Sequence, residues 1–298
     1  MNTLAPICLF VYNRPHETLK TIESLKNNIN ALDSDLYIYS DAAKRDSDKG
    51  AVMGVREVIS SVTGFKSVTI FEVSENKGLA QSVIDGISQV IKKHGKVIAL
   101  EDDLITSPNF LSFMNQSLDL YEKNKQIISV SGCTFTVDIP TDYDYDVYFT
   151  HRMCSYGWGT WSDRWEAIDW DVKDYSRLKY SIAENFRFMK GGQDLPRMLS
   201  AYMKGRINSW AVRFCYHQYK TETYTVYPVE SKVDNIGFDS KGTNTKRRKK
   251  YDVIRFENSE NESFQFSDRV FIHKGINRSF LKKYSVISRI IANYLAKG

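Results

Sequence analysis

Three adjacent carboxylates, Glu101-Asp102-Asp103, directly follow the apolar run Val97-Ile98-Ala99-Leu100. Carboxylates this close together repel one another, so the cluster is unfavourable unless a cation is near. Carboxylate oxygens suit Mg²⁺ and Mn²⁺, and a metal held by one or two carboxylates keeps coordination positions open for a diphosphate. Acidic triplets are often only surface turns, but the position at the end of an apolar run favours a metal site.

Polar residues that could bind a ligand also follow earlier apolar runs. Arg14 follows the first run, and its guanidinium could contact a phosphate. Asp41 ends the second, where its carboxylate could accept a hydrogen bond from a base or a ribose, or could simply serve a turn or a helix start. Lys77, within Asn76-Lys77-Gly78, could assist a phosphate, although a plain helix start explains it equally well.

The elements that must position these residues alternate along the first part of the chain. Continuous apolar runs are typical of buried strands, and apolar residues that recur every three or four positions indicate helices. We therefore predict an α/β fold with a mostly parallel sheet that is flanked by helices. The predicted strands are 7–12, 36–40, 68–73, 97–100 and 127–131, and the predicted helices are centred on 19–25, 52–62, 79–91 and 110–121.

Ligands of open α/β sheets bind at the carboxyl ends of the strands. The polar segments after the predicted strands should therefore converge on one edge of the sheet, although they are far apart in the sequence.

The character of the sequence changes near residue 131, after which the alternation weakens and all five tryptophans occur. We divide the chain into 1–131, which carries the predicted sheet, a second half at 132–278, and an amphipathic helix at 279–298. In that last segment Phe280, Tyr284, Ile287, Ile291 and Tyr294 share one helix face. The helix could pack on the body of the protein or lie on a membrane surface.

Composition narrows the class of protein. Of 298 residues, 42% are hydrophobic and 26% are charged, as in soluble globular proteins, and no run approaches the about 20 apolar residues of a membrane-spanning helix.

Four cysteines without a CxxC pair indicate reduced thiols. The basic run 246–250 could attract an anionic surface, but it lacks interleaved aromatics, which argues against nucleic acid. With no secretory signal at the N-terminus, we expect a cytoplasmic protein, either free or peripheral at the inner membrane face.

The segment Tyr156-Gly157-Trp158-Gly159-Thr160-Trp161 contains two tryptophans beside glycines. Aromatic rings stack on the C–H faces of sugars, and glycines let a ligand approach the backbone. Trp158 and Trp161 are therefore candidate sugar-binding residues in an aromatic loop, with ordinary core packing as the alternative for each ring.

In their order, these segments resemble the nucleotide-binding half of GT-A-fold (Rossmann-like) glycosyltransferases, and most closely the group around N-acetylglucosaminyltransferase I and its bacterial polysaccharide-synthesis relatives. The resemblance covers roughly residues 5–245. The segments that carry it are Phe10-Val11-Tyr12-Asn13-Arg14-Pro15, Ser40-Asp41, Asn76-Lys77-Gly78-Leu79-Ala80, Glu101-Asp102-Asp103-Leu104, Tyr156-Gly157-Trp158-Gly159-Thr160-Trp161, Ser209-Trp210-Ala211-Val212-Arg213 and Asn235-Ile236-Gly237-Phe238.

The resemblance implies a role for each matching residue of the first half. Asp103 would bind Mn²⁺ or Mg²⁺, Asp102 would contact the ribose or the sugar, and Glu101 would help to hold the donor sugar. Asp41 would read the base and Arg14 the nucleotide. The second half would bind the acceptor.

The activity that the resemblance implies is transfer of a hexosyl or N-acetylhexosaminyl group from a nucleotide-sugar, with a UDP-sugar favoured, to a saccharide or a lipid-linked saccharide. The reaction would invert the anomeric carbon and serve bacterial surface polysaccharide synthesis. An inverting displacement needs a base for the acceptor hydroxyl.

The sequence departs from the family where that base is expected. Asn208 stands where relatives usually carry an acid, and Asn244 stands where many carry a histidine. Asp194, on the preceding segment, is the substitute candidate for the catalytic base, with a plain helix-start aspartate as the alternative.

Two other functions stay open. A sugar-phosphate nucleotidyltransferase is also α/β and uses Mg²⁺, but it needs a glycine-rich loop after the first strand, where this chain has Tyr12-Asn13-Arg14-Pro15. A non-catalytic nucleotide-sugar-binding protein would account for Asn208 and Asn244. Turnover of a donor would separate that protein from an enzyme.

Overall fold

The computed structural model describes residues 3–237, 254 and 256–285. Asn244, the basic run 246–250 and the tail from 286 onward lie outside the described residues. In chain order, the strands are β1 (Ile7–Val11), β2 (Asp35–Ser40), β3 (Ser67–Glu72), β4 (Lys96–Glu101), β5 (Leu104–Thr106), β6 (Ile127–Ser131), β7 (Val147–Thr150), β8 (Trp158–Trp161), β9 (Tyr224–Pro228) and β10 (Val233–Asn235). The helices are α1 (Pro15–Lys26), α2 (Lys49–Ser60), α3 (Leu79–His94), α4 (Phe110–Tyr121), α5 (Ser162–Glu166), α6 (Tyr175–Tyr180), α7 (Ile182–Phe188), α8 (Leu195–Met203), α9 (Trp210–Lys220) and α10 (Lys274–Lys282).

Eight strands form one sheet in the order β3-β2-β1-β4-β8-β6-β9-β7. β8 runs antiparallel to both of its neighbours and β7 runs antiparallel to β9, so the other six strands share one direction. Strands β5 and β10 pair separately as a small antiparallel ribbon. The prediction of an α/β fold with a mostly parallel sheet flanked by helices is confirmed, and each predicted strand and helix of the first half is present.

The central strand β1 is apolar throughout because both of its faces are buried. All five of its residues are buried, because helices cover both faces of the sheet. Ile7, Leu9 and Val11 point into the core beneath α1, α2 and α4. Cys8 and Phe10 point to the opposite core, beneath α3, α8 and α9. Alternate residues of one strand thus serve two separate cores.

Local sequence signals mark the ends of three helices. Pro15 occupies the first turn of α1, where its missing N–H leaves no donor unsatisfied and its fixed φ suits a helix. Gly95 ends α3 with a φ of 77°, a left-handed conformation that glycine adopts without strain. The Ser209 hydroxyl caps α9 by accepting a hydrogen bond from the N–H of Val212.

The second half of the chain does not stand apart from the sheet. β8 lies between β4 and β6, and β9 and β7 extend the sheet beyond β6. The boundary at residue 131 between a nucleotide-sugar-binding half and an acceptor-binding half stays a prediction.

The C-terminal helix begins earlier than the sequence indicates. α10 starts at Lys274, because His273 caps it by accepting a hydrogen bond from the N–H of Ile276, and it ends at Lys282. Phe280 and Tyr284 are 2% and 7% exposed, so this part of the predicted amphipathic face packs on the body of the protein. The remainder of the predicted helix lies outside the described residues.

Two further expectations can be compared with the structure. Among the residues that it describes, no helix is both long enough and apolar enough to cross a membrane. All four cysteines are free thiols, as the absence of a CxxC pair indicates.

The buried Arg164 fastens the turn between α4 and β6. Its guanidinium donates hydrogen bonds to the carbonyl oxygens of Ile127 at 3.3 Å and of Glu122 at 2.6 Å. It also pairs with Asp163 at 2.7 Å and covers the ring of Trp161 at 4.3 Å. One buried cation thus satisfies carbonyls at the end of α4 and at the start of β6.

Replacement of Arg164 by Met should lower the free energy of unfolding by about 2–4 kcal/mol, because buried carbonyls lose a charged donor. Urea denaturation measures this difference. Arg177→Met is the matched control, since the Arg177 side chain is 68% exposed, and its effect should stay within about 0.5 kcal/mol. Equal losses in the two variants would contradict the role of Arg164.

Candidate functional site

The loops that follow β1 and β4 meet at the carboxyl edge of the sheet. The backbone N–H of Tyr12 donates a hydrogen bond to Oδ2 of Asp102 at 3.0 Å, and Arg14 Nη1 lies 3.1 Å from Oδ2 of Asp103. The loop after β2 joins them, since the N–H of Asp41 donates to the carbonyl of Val11 at 3.2 Å. The expected convergence on one edge is confirmed.

The acidic triplet is partly buried, and its members oppose one another electrostatically. Burial and the charge of Asp103 raise the pKa of Asp102 to about 7. Burial, Asp103 and Asp102 raise the pKa of Glu101 well above its usual range, while the Arg14 guanidinium offsets part of the effect on both groups. The cluster would be stabilised in its charged form by a cation placed against it.

The segment that ends β10 packs against Asp103. The N–H of Ile236 donates to the carbonyl of Asp103 at 2.9 Å, and Nδ2 of Asn235 lies 3.5 Å from Oδ1. At Gly237 a Cβ atom would lie 1.9 Å from Oδ2 of Asp103 and 2.8 Å from Nη1 of Arg14. A side chain at this position would force Asp103 or Arg14 to shift, a role that the sequence alone did not assign to Gly237.

Asp41, predicted to read a base, is surrounded by donors of the protein itself, and a contact with a base stays a prediction. Its Oδ1 accepts hydrogen bonds from the N–H groups of Ala42 and Lys77, both at 2.9 Å. Its Oδ2 accepts from the N–H of Gly78 at 2.8 Å and from Nδ2 of Asn76 at 3.0 Å. A carboxylate has about four acceptor positions, so the protein itself uses the acceptor capacity of Asp41. The structure makes Asp41 the clamp that holds 76–78 at the start of α3.

The backbone and the side chain of Lys77 bind different partners. Its N–H is taken by Asp41, and its ammonium pairs with Asp85 at 3.1 Å with both side chains 45% exposed. A contact of Lys77 with phosphate stays a prediction.

A second contact near the site joins Tyr12 to Asp48, a residue that the sequence analysis did not single out. The Tyr12 hydroxyl donates to Oδ2 of Asp48 at 3.1 Å and accepts from the N–H of Lys44 at 3.0 Å. Arg45 holds the same carboxylate at 3.1 Å. Nothing in the sequence indicated this pairing across 36 positions, because Asp48 resembles an ordinary helix-start aspartate.

The tryptophans predicted to bind sugar lie in the core instead. The predicted aromatic loop is strand β8, and Trp158 and Trp161 are 2% and 1% exposed. Trp158 stacks on Trp210 at 4.9 Å, and Arg164 covers Trp161. Neither ring offers an open face to a sugar, because β8 is buried between β4 and β6 and under helices on both faces.

The candidate base Asp194 is held in an ion pair. Both of its oxygens accept hydrogen bonds from Arg152, at 2.8 and 3.1 Å, and each side chain is 12% exposed. The Arg152 guanidinium also stacks 3.8 Å from the centre of the Tyr284 ring. A role of Asp194 as base stays a prediction. It requires that the acceptor hydroxyl reach the Asp194 carboxylate while Arg152 is bound to it.

Asp103 and one of its acidic neighbours are the described residues that could hold the metal predicted at the triplet. Within residues 3–237, 254 and 256–285, no group of three or more His, Cys, Asp and Glu side chains is arranged to hold a metal ion. Asp103 with one neighbour would supply two carboxylates, which fits the usual mode of Mg²⁺ with substrate phosphates.

No protein-family model matches the chain. No curated protein matches it either.

Several solved structures are similar to the chain at low identity. The mannosyltransferase PcManGT from Pyrobaculum calidifontis, in complex with GDP-Man and Mn²⁺, matches 73% of this chain and 70% of its own at 12% identity and a TM-score of 0.41. TarS from S. aureus matches 48% of this chain and 24% of its own, at 10% identity and a TM-score of 0.31. Glucosyl-3-phosphoglycerate synthase from Mycobacterium tuberculosis, with Mn²⁺, UDP-glucose and phosphoglyceric acid, matches 43% of both chains at 12% identity and a TM-score of 0.28. With TM-scores this low, the likeness decides neither donor nor acceptor.

Asp41→Asn should lower the free energy of unfolding by about 2–3 kcal/mol, because an amide cannot accept all four hydrogen bonds. Hydrogen exchange at the amides of Lys77 and Gly78 should become faster. Asp85→Asn is the matched control at an exposed ion pair, with an expected change of about 0–1 kcal/mol. Unchanged protection of Lys77 and Gly78 in Asp41→Asn would show that Asp41 is not the clamp.

Gly237→Ala should lower the free energy of unfolding by about 1–3 kcal/mol, because the added methyl overlaps the Asp103 carboxylate. Gly50→Ala is the opposite case: Gly50 lies in α2 with nothing within 4 Å of its added Cβ. That change should raise stability by about 0.5–1 kcal/mol through helix propensity. Thermal unfolding of both variants tests the contrast, and stabilisation by both would contradict the close packing on Asp103.

Proposed function

We propose that this chain is a GT-A-type glycosyltransferase that moves a sugar from a nucleotide-sugar to a saccharide acceptor with Mn²⁺ or Mg²⁺. The observation that carries the proposal is the acidic triplet Glu101-Asp102-Asp103 at the carboxyl edge of a parallel sheet, beside Tyr12 and Arg14. Open α/β sheets bind their ligands at this edge. The raised pKa of Asp102 indicates a place where a cation would be accepted.

The cation would be held by Asp103 together with Glu101 or Asp102. Such an ion, when bound, neutralises the charge that develops on a departing nucleoside diphosphate. Arg14 already contacts one oxygen of Asp103, and its guanidinium has further N–H groups that could take a phosphate oxygen. Gly237 lets the 233–237 segment close over this pair.

The nucleotide would be positioned by backbone that the site itself holds. Asp41 fixes the N–H groups of Lys77 and Gly78, so α3 begins at the binding edge. The Asp41 carboxylate itself lies at this amino end, where it meets the partial positive charge of the helix. Asp41 would therefore act on a nucleotide by fixing the loop 76–78, in addition to the predicted contact with a base.

The finer assignments of the sequence analysis belong to this proposal. They are a UDP-sugar donor, transfer of a hexosyl or N-acetylhexosaminyl group, inversion, and a saccharide or lipid-linked acceptor in bacterial surface polysaccharide synthesis. Burial raises the pKa of the partly buried Tyr156, and the nearby charges of Glu101 and Asp103 add to this effect.

A second candidate function is a nucleotide-sugar-binding protein without transfer. Ser209 caps α9, Asn208 cannot act as an ordinary base, and Asp194 is tied to Arg152. With Mn²⁺ and a donor, release of nucleoside diphosphate distinguishes an enzyme from this binder. The nucleotidyltransferase alternative is less favoured, because the loop after β1 has no glycine.

Asp103→Asn should abolish the Mn²⁺-dependent part of donor binding while the fold is retained. The measurement is thermal stabilisation by UDP-, GDP-, dTDP- and CMP-sugars with and without Mn²⁺, because a ligand at about a hundred times its Kd stabilises the native state by about 2.7 kcal/mol. Asp46→Asn is the control, since the Asp46 side chain is 93% exposed. If Asp103→Asn keeps the full effect of Mn²⁺, the assignment of the metal is wrong.

A further inference from the structure

Exposed apolar side chains gather on α7. Ile182 is 78% exposed and Phe186 is 68% exposed. Four residues apart on one helix, they lie on the same face. The next large apolar residue, Phe188, is 1% exposed and faces the core. One face of α7 therefore packs on the protein while another presents apolar surface to water, and a contiguous exposed apolar patch can mark a contact site.

Phe186 also lines a groove of about 480 Å³ between the end of α7 and α10. Polar Gln193 and Ser285 complete its lining, and none of the described residues that line it is acidic. Lys282 reaches the groove while pairing with Asp138 at 3.0 Å. The apolar lining residues are Phe186, Met189 and Leu281, and the basic ones are Lys190, Arg278 and Lys282.

We propose that the α7–α10 surface, formed by Ile182 and the six lining residues just named, docks the protein on an anionic phospholipid bilayer. Apolar side chains beside lysine and arginine are the combination that binds at the boundary of lipid headgroups and acyl chains. The cations would meet lipid phosphates, and Ile182 and Phe186 would enter the boundary. This surface shares no residue with the acidic triplet, and the proposal does not depend on the transferase activity.

Charge favours the bilayer over a second copy of this chain. In a symmetric dimer the same surface would face itself, which would bring the cations at Lys190, Arg278 and Lys282 towards their own copies. Like charges across an interface oppose binding. An anionic surface instead complements Lys190 and Arg278, whereas the charge of Lys282 is already paired with Asp138.

The experiment is co-sedimentation of the full chain with vesicles of phosphatidylcholine, with or without phosphatidylglycerol. The protein should bind only the phosphatidylglycerol vesicles, and less as salt rises, because salt screens the attraction. Ile182→Ser/Phe186→Ser and Lys190→Glu/Arg278→Glu should each lower the vesicle partition coefficient by about tenfold or more.

Matched controls lie at exposed positions outside the surface. Leu32 is 74% exposed on the short helical turn Ala31–Asp33, and Lys92 is exposed on α3. Leu32→Ser and Lys92→Glu should bind vesicles as the wild type does. All variants should retain the wild-type thermal unfolding and Mn²⁺-dependent donor binding. Vesicle binding is measured without a donor, so its result can be interpreted even if the transferase proposal fails.

Three outcomes would overturn the proposal. The first is a wild-type protein that ignores phosphatidylglycerol vesicles at low salt. The second is vesicle binding that survives both double variants but is lost when the basic run 246–250 is neutralised. The third is a wild-type dimer in sedimentation equilibrium that Ile182→Ser/Phe186→Ser dissociates, which would assign the surface to a second copy.

Discussion

The close approach of three carboxylates at the end of β4 is the constraint on which the site depends. Partly buried like charges are tolerated only where neighbouring groups compensate for them. The compensation comes from separate parts of the chain: the N–H of Tyr12 contacts Asp102, and Arg14 contacts Asp103. Thr21 of α1 then accepts from the N–H of Leu104 and donates to the carbonyl of Asp102. The position of α1 is thereby linked to the acidic turn.

A second carboxylate, that of Asp41 at the end of β2, holds the segment that precedes α3. Asp41 satisfies the backbone of 76–78, where α3 begins, and it does so with both oxygens. An aspartate at a strand end can serve a ligand or the backbone, and here geometry selects the backbone. The consequence for function is indirect, because the amino end of α3 is held at the edge where a nucleotide would bind.

The second half of the chain supplies the interior as well as surface. Trp158 and Trp161 lie on a strand in the middle of the sheet, packed against Trp165, Trp210 and Arg164. Residue types that suit sugar binding are also those that fill a large core. The aromatic composition after residue 131 therefore reflects the packing of helices on β8 as much as any ligand.

The sequence by itself determined the alternation of strands and helices, because buried parallel strands need continuous apolar runs and their covering helices need a periodic apolar face. It also determined that polar groups follow β1, β2 and β4, so their convergence could be predicted from the topology of parallel strands. Only the tertiary structure decided what each group does. Asp41, Trp158 and Gly237 owe their roles to contacts that depend on exact distances between segments far apart in the chain: four donors around one carboxylate, helices over both faces of β8, and a Cβ position 1.9 Å from Asp103. Composition and spacing contain no such distances, because the distances are set by how the elements pack and not by the local sequence.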